Sequence, residues 1–478
     1  MYSIHIIVYS LIFVQVCSYI SLSTLNSKTS LNAVKNNDIL AWKEFIDTNK
    51  ADSKVDGNGL SITNIQGGDT LYSLPLGICL DCDKAKSKFG PLGVSSRVLR
   101  TGQLGMLAIL LLSEKYQGSS SKYSSYIKFL PSESDSVVSW SKEELEILND
   151  ATTRNILGQI KAIESDYERL ITLDSLRALL PSNAFTLEDF KWAIGHVKSK
   201  HVYLDDQPYL VPGMETLEHD PTSTAEPITA GAGMFGGKIV KVMADRSYDG
   251  DKNVFMSYGL KSSAQCLEDH GIVPDVDLQD SSCELVFNIQ EGEDKFYDDK
   301  VNLLEAEGFT PRMTFDLEAD EDIEIDPLLM QFLRLKFITG IDSFILEACL
   351  SATAWNTLSM PFSKENELAV LNYLNEQCQL NIDNLKAPTT SSSDSNINND
   401  RLGLMQMLYK QEIAALEGTQ ARIRYELDSV QGPDPREYYQ ERRLRELDLL
   451  RPLDESEVVL SGDLERPFSD DDDGYSMY

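Results

Sequence analysis

The chain has 478 residues, with 76 acids against 43 bases and a formal net charge of −33 when its histidines are neutral. Hydrophobic residues make up 42%, enough for sizeable cores, and domains of about 150 residues would divide the length into two or three. So acidic a surface argues against a general nucleic-acid binder and against docking on anionic lipid, because both need a basic face.

Ile4 to Val16 is mostly apolar, interrupted by His5, Ser10 and Gln15. A secure bilayer span takes about 20 residues, so the run fits a secretory signal better than a membrane helix. Ser18 is the small residue at its end, and the first lysine is Lys28, so the usual basic flank is missing. Tyr19 to Asn37 then contains no acid, two lysines and six serine or threonine residues, the composition of a transit peptide. A signal-like segment, 1–18, followed by a transit-like segment, 19–45, is the two-part address of a plastid reached through the secretory route. A secreted or cytoplasmic protein is the alternative.

Residues 53–80 alternate short apolar stretches with Gly57, Gly59, Gly67, Gly68 and Gly77, which predicts strands and turns. Leu104 to Tyr116 is nearly continuous apolar sequence and reads as a buried helix. Ser141-x-x-Glu144 has the spacing of a capping box, and a second helix start stands at Thr186-Leu187-Glu188-Asp189. The pattern is helical from Ser141 to Lys200, returns to strands over 203–260, and gives one more strand-like run at Glu284 to Ile289.

Asp316 to Asp326 holds seven acids in eleven residues and predicts a solvated loop. Leu328 to Trp355, Glu365 to Leu380, Arg401 to Leu416 and Arg436 to Leu450 are helical by period, with Pro433 and Pro435 separating the last two. Thr389 to Asp400 reads as a polar linker, and the tail with Asp470 to Asp473 as disordered. No internal repeat is present.

Most tempting motifs fail on context. Gly231-Ala232-Gly233-Met234-Phe235-Gly236 matches the dinucleotide fingerprint letter for letter. That fingerprint needs a strand before it and a helix after it, whereas here a polar, proline-bearing stretch precedes and the alternating Lys238 to Met243 follows. Cys79-x-x-Cys82 has redox spacing without a thioredoxin-like context, and six cysteines beyond Cys17 are ordinary usage for a chain of this size. The five histidines form no metal-binding spacing, so no metal is expected. Cys266 and His270, four apart, lack a visible third group to orient a nucleophile.

An ordered set of pieces carries more weight. It runs through Gly57-Asn58-Gly59-Leu60, Glu114-Lys115-Tyr116, Phe129-Leu130-Pro131, Trp140 to Leu145, Leu187 to Gly195, Lys198-Ser199, Leu210 to Pro221, Val254 to Gly259, Lys261 to Ile272, Gln331 to Leu335 and Glu437 to Leu444. Together they resemble the SET-domain lysine methyltransferases, and more closely the branch typified by the Rubisco large-subunit methyltransferase. The resemblance spans about residues 54 to 451. It implies an α+β chain: a SET β-fold over 46–275 with a helical insert at about 95–200, a mostly α-helical substrate-binding domain over 285–452, and an acidic tail at 453–478.

The resemblance implies methyl transfer from S-adenosyl-L-methionine to lysine side chains of a protein bound through the C-terminal helical domain. No nucleic-acid partner and no stable membrane insertion of the mature chain are expected. Tyr258 matches the tyrosine at the end of the lysine channel, and Gly57, Asn58, Gly59, Leu60, Lys200, Glu218, His219 and Tyr258 fall on cofactor-binding positions. His270 and Ile272 fall on the channel.

Four cofactor-site positions depart from the family pattern. Glu218 stands for asparagine and Lys200 for arginine; Ser263 to Leu267 replaces an Asn-led helix start, and His270-Gly271-Ile272 replaces Tyr-Gly-Phe. A carboxylate only accepts hydrogen bonds where an amide also donates, and lysine lacks arginine's planar fork. The alternative is therefore a binding or scaffold module that kept the SET shape without turnover. Rubisco large subunit is the family's default substrate, and another plastid protein is equally allowed.

Overall fold

The computed structural model describes residues 39–151, 155–177, 179–180, 185–231, 237–292, 294–347, 351–386, 398–432, 438–439 and 442. The expectations for the chain before residue 39, for the linker up to residue 397, for most of Arg436 to Leu450 and for the acidic tail lie outside the described residues.

The chain divides into two compact units. Of the described residues, those up to 277 with 384–386 and 398–412 form the first, and 278–383 with those from 413 onward the second. The first contains helices α1 (Ile39–Asn49), α2 (Cys82–Phe89), α3 (Gly102–Gln117), α4 (Ser124–Phe129), α5 (Lys142–Ala151), α6 (Ile156–Ile171), α7 (Leu187–Lys200) and α8 (Ser263–His270). Its strands are β1 (Asp52–Ser53), β2 (Thr70–Pro75), β3 (Leu80–Asp81), β4 (His201–Leu204), β5 (Gln207–Leu210), β6 (Glu218–His219), β7 (Pro227–Gly231), β8 (Lys238–Met243) and β9 (Phe255–Met256).

These strands form small separate sheets. One is antiparallel in the order β1-β2-β8-β7, a second runs β3-β5-β4, and β6 pairs with β9 in parallel. In the pair β7 and β8, Gly231 lies opposite Lys238, so the segment that begins at Gly231 is flanked by two antiparallel strands. A strand on the C-terminal side excludes the phosphate-binding helix that a dinucleotide fold requires.

Helix α3 is apolar nearly all round, and every residue from Gly105 to Ser113 is buried. Such a helix must be covered on several sides, and α7 packs along it. Both predicted helix starts form. Ser141 N–H donates to Glu144 at 2.9 Å while Glu144 N–H donates to the Ser141 hydroxyl at 3.2 Å. The Thr186 hydroxyl accepts from Asp189 N–H at 3.1 Å.

In the second unit, β10 (Ser282–Asn288) and β11 (Arg312–Glu318) pair antiparallel around α9 (Tyr297–Ala306). Cys283, Leu285, Phe287, Phe315 and Leu317 alternate inward as a half-buried sheet demands. Helices α10 (Pro327–Lys336), α11 (Ser351–Thr357) and α12 (Lys364–Lys386) follow. The Arg334 guanidinium grips Glu367 through two 2.8 Å bonds in the buried interior. Helix α13 (Asn399–Gln431) contributes its first turns to the first unit and the remainder to the second.

Three expectations are corrected. The transit-like segment stops short of residue 45, because α1 begins at Ile39 and buries the apolar rings of Trp42 and Phe45. The acidic run does not start in a loop: Asp316, Leu317 and Glu318 belong to β11, with Leu317 turned inward and the carboxylates partly or fully exposed. Leu328 to Trp355 is not one helix, because α10 ends at Lys336 and Gly340, at φ +55°, opens a 3-10 turn over Gly340–Leu346.

Trp42 explains why α1 belongs to the fold. Its ring lies 6.1 Å from Tyr72 and 5.3 Å from Phe129. Gly213, at φ +91°, passes so close that a Cβ there would meet the indole at 2.2 Å. Truncating so enclosed a tryptophan leaves a cavity, so Trp42→Ala is expected to cost about 3–5 kcal/mol of stability, measured by urea unfolding.

Candidate functional site

The glycine turn is built around one carboxylate. Asp56 accepts from the backbone N–H groups of Asn58 and Leu60, both at 2.9 Å, and its carbonyl accepts from Gly59. Gly59 has φ +79°, and a Cβ there would sit 2.4 Å from the Thr216 carbonyl oxygen, so only glycine lets the turn lie against that backbone. The Gly59 carbonyl accepts from Val254 N–H at 3.0 Å, and the Val254 carbonyl accepts from Glu218 N–H at 3.3 Å. Three distant stretches, around residues 59, 254 and 218, are thereby laid side by side.

The parallel register of β6 and β9 sets Glu218 beside Phe255 and His219 beside Met256. Two residues beyond Met256, the chain brings Tyr258 onto His219, with ring centroids 4.9 Å apart and planes inclined by 24°. Tyr258 N–H donates to His219 Nδ1 at 3.2 Å, which places the proton of the neutral imidazole on Nε2. The Tyr258 hydroxyl donates to the Leu217 carbonyl at 2.9 Å. On its other side Tyr258 meets His270, 4.4 Å between centroids.

His270 ends α8, and Gly271 follows in the left-handed region at φ +66°, where a Cβ would meet the Asp135 carbonyl oxygen at 2.1 Å. His270 Nδ1 lies 2.7 Å from the Ser199 carbonyl oxygen, at the end of α7. A carbonyl only accepts, so Nδ1 carries the proton. The other nitrogen, Nε2, is buried and has no hydrogen-bond partner among the described residues.

Lys200, next to Ser199, places Nζ 3.1 Å from Asp135. Burial works to lower its pKa, but Asp135 and then Glu215 outweigh it and raise the net value. Burial raises the pKa of Glu215, whose Oε2 accepts from Gly213 N–H at 2.8 Å. Burial also raises Glu218, which accepts from the Asn253 side-chain amide at 3.4 Å. Tyr258 is pushed well above the ordinary phenol range, by burial first and by Asp135 and Glu218 next, so it stays a neutral hydroxyl.

The structure thus gathers Gly57 to Leu60, Glu218, His219, Tyr258 and His270 into one connected cluster, with Lys200 adjoining it through Ser199. Ile272 is half-buried beyond the Gly271 turn and bonds by its N–H to the Cys266 carbonyl. Cys266 is buried with its thiol pushed up to about 12, and the protonated Nδ1 of His270 faces Ser199, so the two form no nucleophilic pair. Cys79 and Cys82 are free thiols pushed up to about 12 and about 11, chiefly by burial.

A groove of about 980 Å³ bordered by Pro75, Asp81, Lys84, Tyr209 and Lys238 shares none of the clustered residues. Sequence reasoning missed Asp135, Asn253 and the burial of Glu215, and no local pattern marks any of them. Among the described residues, no group of three His, Cys, Asp or Glu side chains is arranged to hold a metal, and no helix is long and apolar enough to cross a membrane.

Residues 291–416 match the family "Rubisco LSMT substrate-binding". The chain is 27% identical over 421 residues to the chloroplastic Rubisco large subunit N-methyltransferase of Pisum sativum, covering 84% of this chain and 82% of that protein. It is 28% identical over 365 residues to the chloroplastic fructose-bisphosphate aldolase-lysine N-methyltransferase of Arabidopsis thaliana, covering 72% of each. The solved SET domain of LSMT bound to lysine and AdoHcy superposes with a TM-score of 0.72 at 23% identity, over 86% of this chain and 96% of that one, a likeness of fold.

The buried imidazole of His270 makes a pH prediction. Burial lowers its pKa from 6.5 to about 3, with Lys261 adding in the same direction. As the pH falls below 6.5, the unfolded chain binds a proton that the folded chain refuses, so stability falls with pH. Wild type is expected to lose stability relative to His270→Asn between about pH 6.5 and 3, measured as urea unfolding free energies across that range. A difference that does not vary with pH would contradict the buried neutral state.

Proposed function

We propose that this chain, with its SET-type fold and its Rubisco LSMT substrate-binding domain, is an S-adenosylmethionine-dependent N-methyltransferase acting on lysine side chains of a protein. The observation that carries the reading is the cluster in which Tyr258 is packed between His219 and His270 and tied through β6, β9 and Val254 to the glycine turn.

The residues present fit the cofactor by charge. It is a sulfonium with an ammonium and a carboxylate; the cluster offers the acidic Glu218, the ammonium of Lys200 and close backbone at Gly57 to Leu60. Glu218, with its amide partner Asn253, stands for a cationic group of the cofactor, and Lys200 for its carboxylate. Lysine is the weaker choice because Asp135 already engages it. When bound, S-adenosylmethionine would supply an electrophilic methyl group to the lone pair of the acceptor nitrogen.

A free lysine is charged near neutral pH, so the chain must favour the neutral amine. The aromatic walls of Tyr258, His219 and His270 desolvate an entering amine and lower its pKa. Tyr258 is held by four contacts: its hydroxyl on Leu217, its N–H on His219, and its ring on each of the two imidazoles. A tyrosine so fixed orients an acceptor without being able to ionise. The partner is a protein held by the C-terminal domain, and the compartment is the plastid. Both readings are supported by the substrate-binding match and the chloroplastic relatives.

The direct test is transfer of labelled methyl from S-adenosylmethionine to purified Rubisco and to fructose-bisphosphate aldolase, with cofactor binding followed by calorimetry. Tyr258→Phe is expected to leave cofactor affinity nearly unchanged and to lower the transfer rate, because the hydroxyl acts on alignment. Glu218→Asn is expected to tighten cofactor binding by about tenfold or less, since one mispaired polar group costs about 1–3 kcal/mol and Asn253 already relieves part of it. A wild type that binds no cofactor would refute the enzyme reading. Residues 1–38 fused to a fluorescent reporter are expected to send it to the plastid, and diffuse cytosolic signal would refute that address.

A further inference from the structure

We infer that His270 Nε2 is the hydrogen-bond acceptor for an N–H of the methyl-accepting nitrogen, with the Ser199 carbonyl fixing the tautomer that makes it one. The inference rests on the proposed methyl transfer and adds a role that the tyrosine alone does not supply.

The argument starts from the 2.7 Å contact between His270 Nδ1 and the Ser199 carbonyl. That carbonyl cannot donate, so the imidazole proton resides on Nδ1 and Nε2 presents a lone pair. The residue is 7% exposed, and burial keeps its ring neutral at working pH, with a pKa of about 3. Among the described residues Nε2 has no hydrogen-bond partner. A buried acceptor without a donor is costly, and proteins rarely keep one without a use.

Its location supplies the use. The ring lies 4.4 Å from Tyr258, whose own hydroxyl proton is committed to Leu217, so Tyr258 has no second proton to give to Nε2. No described residue offers Nε2 a donor, and an amine entering beside Tyr258 would bring one. A neutral amine points its lone pair at the methyl group and leaves N–H bonds to be held. As the C–N bond forms, the nitrogen becomes positive and its N–H becomes a stronger donor, so the bond to Nε2 strengthens in the transition state. A weak base of this kind holds the amine in place without trapping its proton.

The count of N–H bonds adds a consequence. Lysine and monomethyl-lysine each present an N–H to Nε2 while their lone pair faces the methyl group, whereas neutral dimethyl-lysine has none. His270 therefore assists the first two transfers and not the third.

The test uses the full chain with S-adenosylmethionine and purified Rubisco and aldolase, and reads kcat, KM and the methylation state by mass spectrometry. His270→Phe removes both ring nitrogens. His270→Asn keeps a side-chain N–H able to reach the Ser199 carbonyl but has no atom at Nε2. Both are expected to lower kcat by roughly 10- to 150-fold, the worth of a hydrogen bond to a charged group, with cofactor affinity by calorimetry unchanged. His270→Gln, which can place an amide oxygen near Nε2, is expected to recover part of the loss.

Nitrogen NMR of the histidine-labelled chain gives a readout independent of turnover. His270, assigned by its loss in His270→Asn, should show an unprotonated Nε2 that shifts when lysine and S-adenosylhomocysteine are added together. Full activity in His270→Asn, or a protonated Nε2, would overturn the inference while leaving the methyltransferase reading intact. Cofactor binding and methyl transfer absent from the wild type would overturn both.

Discussion

The site depends on a very short piece of backbone pairing. Strands β6 and β9 contribute two residues each, yet they run in parallel and so join stretches that no hairpin could connect. Val254 lies at the centre: its N–H reaches Gly59 and its carbonyl reaches Glu218. Glu218, His219 and Tyr258 take their places from that thread, while His270 is held from α8 against the Ser199 carbonyl. A shift of one register would exchange His219 for a neighbour and turn its ring to the opposite face.

Charge is handled by local pairing. Lys200 is screened by Asp135 and Glu215, and Asp269 takes Lys261 at 2.8 Å and Lys198 at 3.3 Å. The surplus of acids over bases therefore does not prevent this region from placing lysines beside its aromatic cluster. The departures at residues 200 and 218 have partners of their own: Asp135 for the lysine, Asn253 for the carboxylate. Both partners are remote in sequence from the groups they meet.

One carboxylate also shows how a local signal acquires a tertiary role. Glu144 closes the capping box at the start of α5, then accepts from Asn398 N–H at 3.0 Å and from Arg401 at 2.8 Å. The first turns of α13 are thereby anchored within the first unit, to which residues 384–412 belong. A boundary drawn from composition at residue 275 misses this return of the chain, because composition records neighbours along the chain and not across it.

What the sequence determined by itself was local in origin or held in an ordered set of motifs. The helix starts at Ser141 and Thr186, the all-round apolar α3 and the alternating β10 follow from capping chemistry and period. The mismatch between Gly231 and its flanks was likewise legible, since a fingerprint without a following helix has nowhere to hold a phosphate. The tertiary structure decided the rest. It folded Trp42 into the core, broke the apparent helix at Gly340, and gave Glu218 its amide. It also fixed the proton of His270 on Nδ1 by setting it against Ser199, 71 positions away along the chain. Spacing along a chain specifies which residues share a face. Which nitrogen carries a proton, and which carboxylate meets a partner, depends on atoms that only folding brings within hydrogen-bond reach.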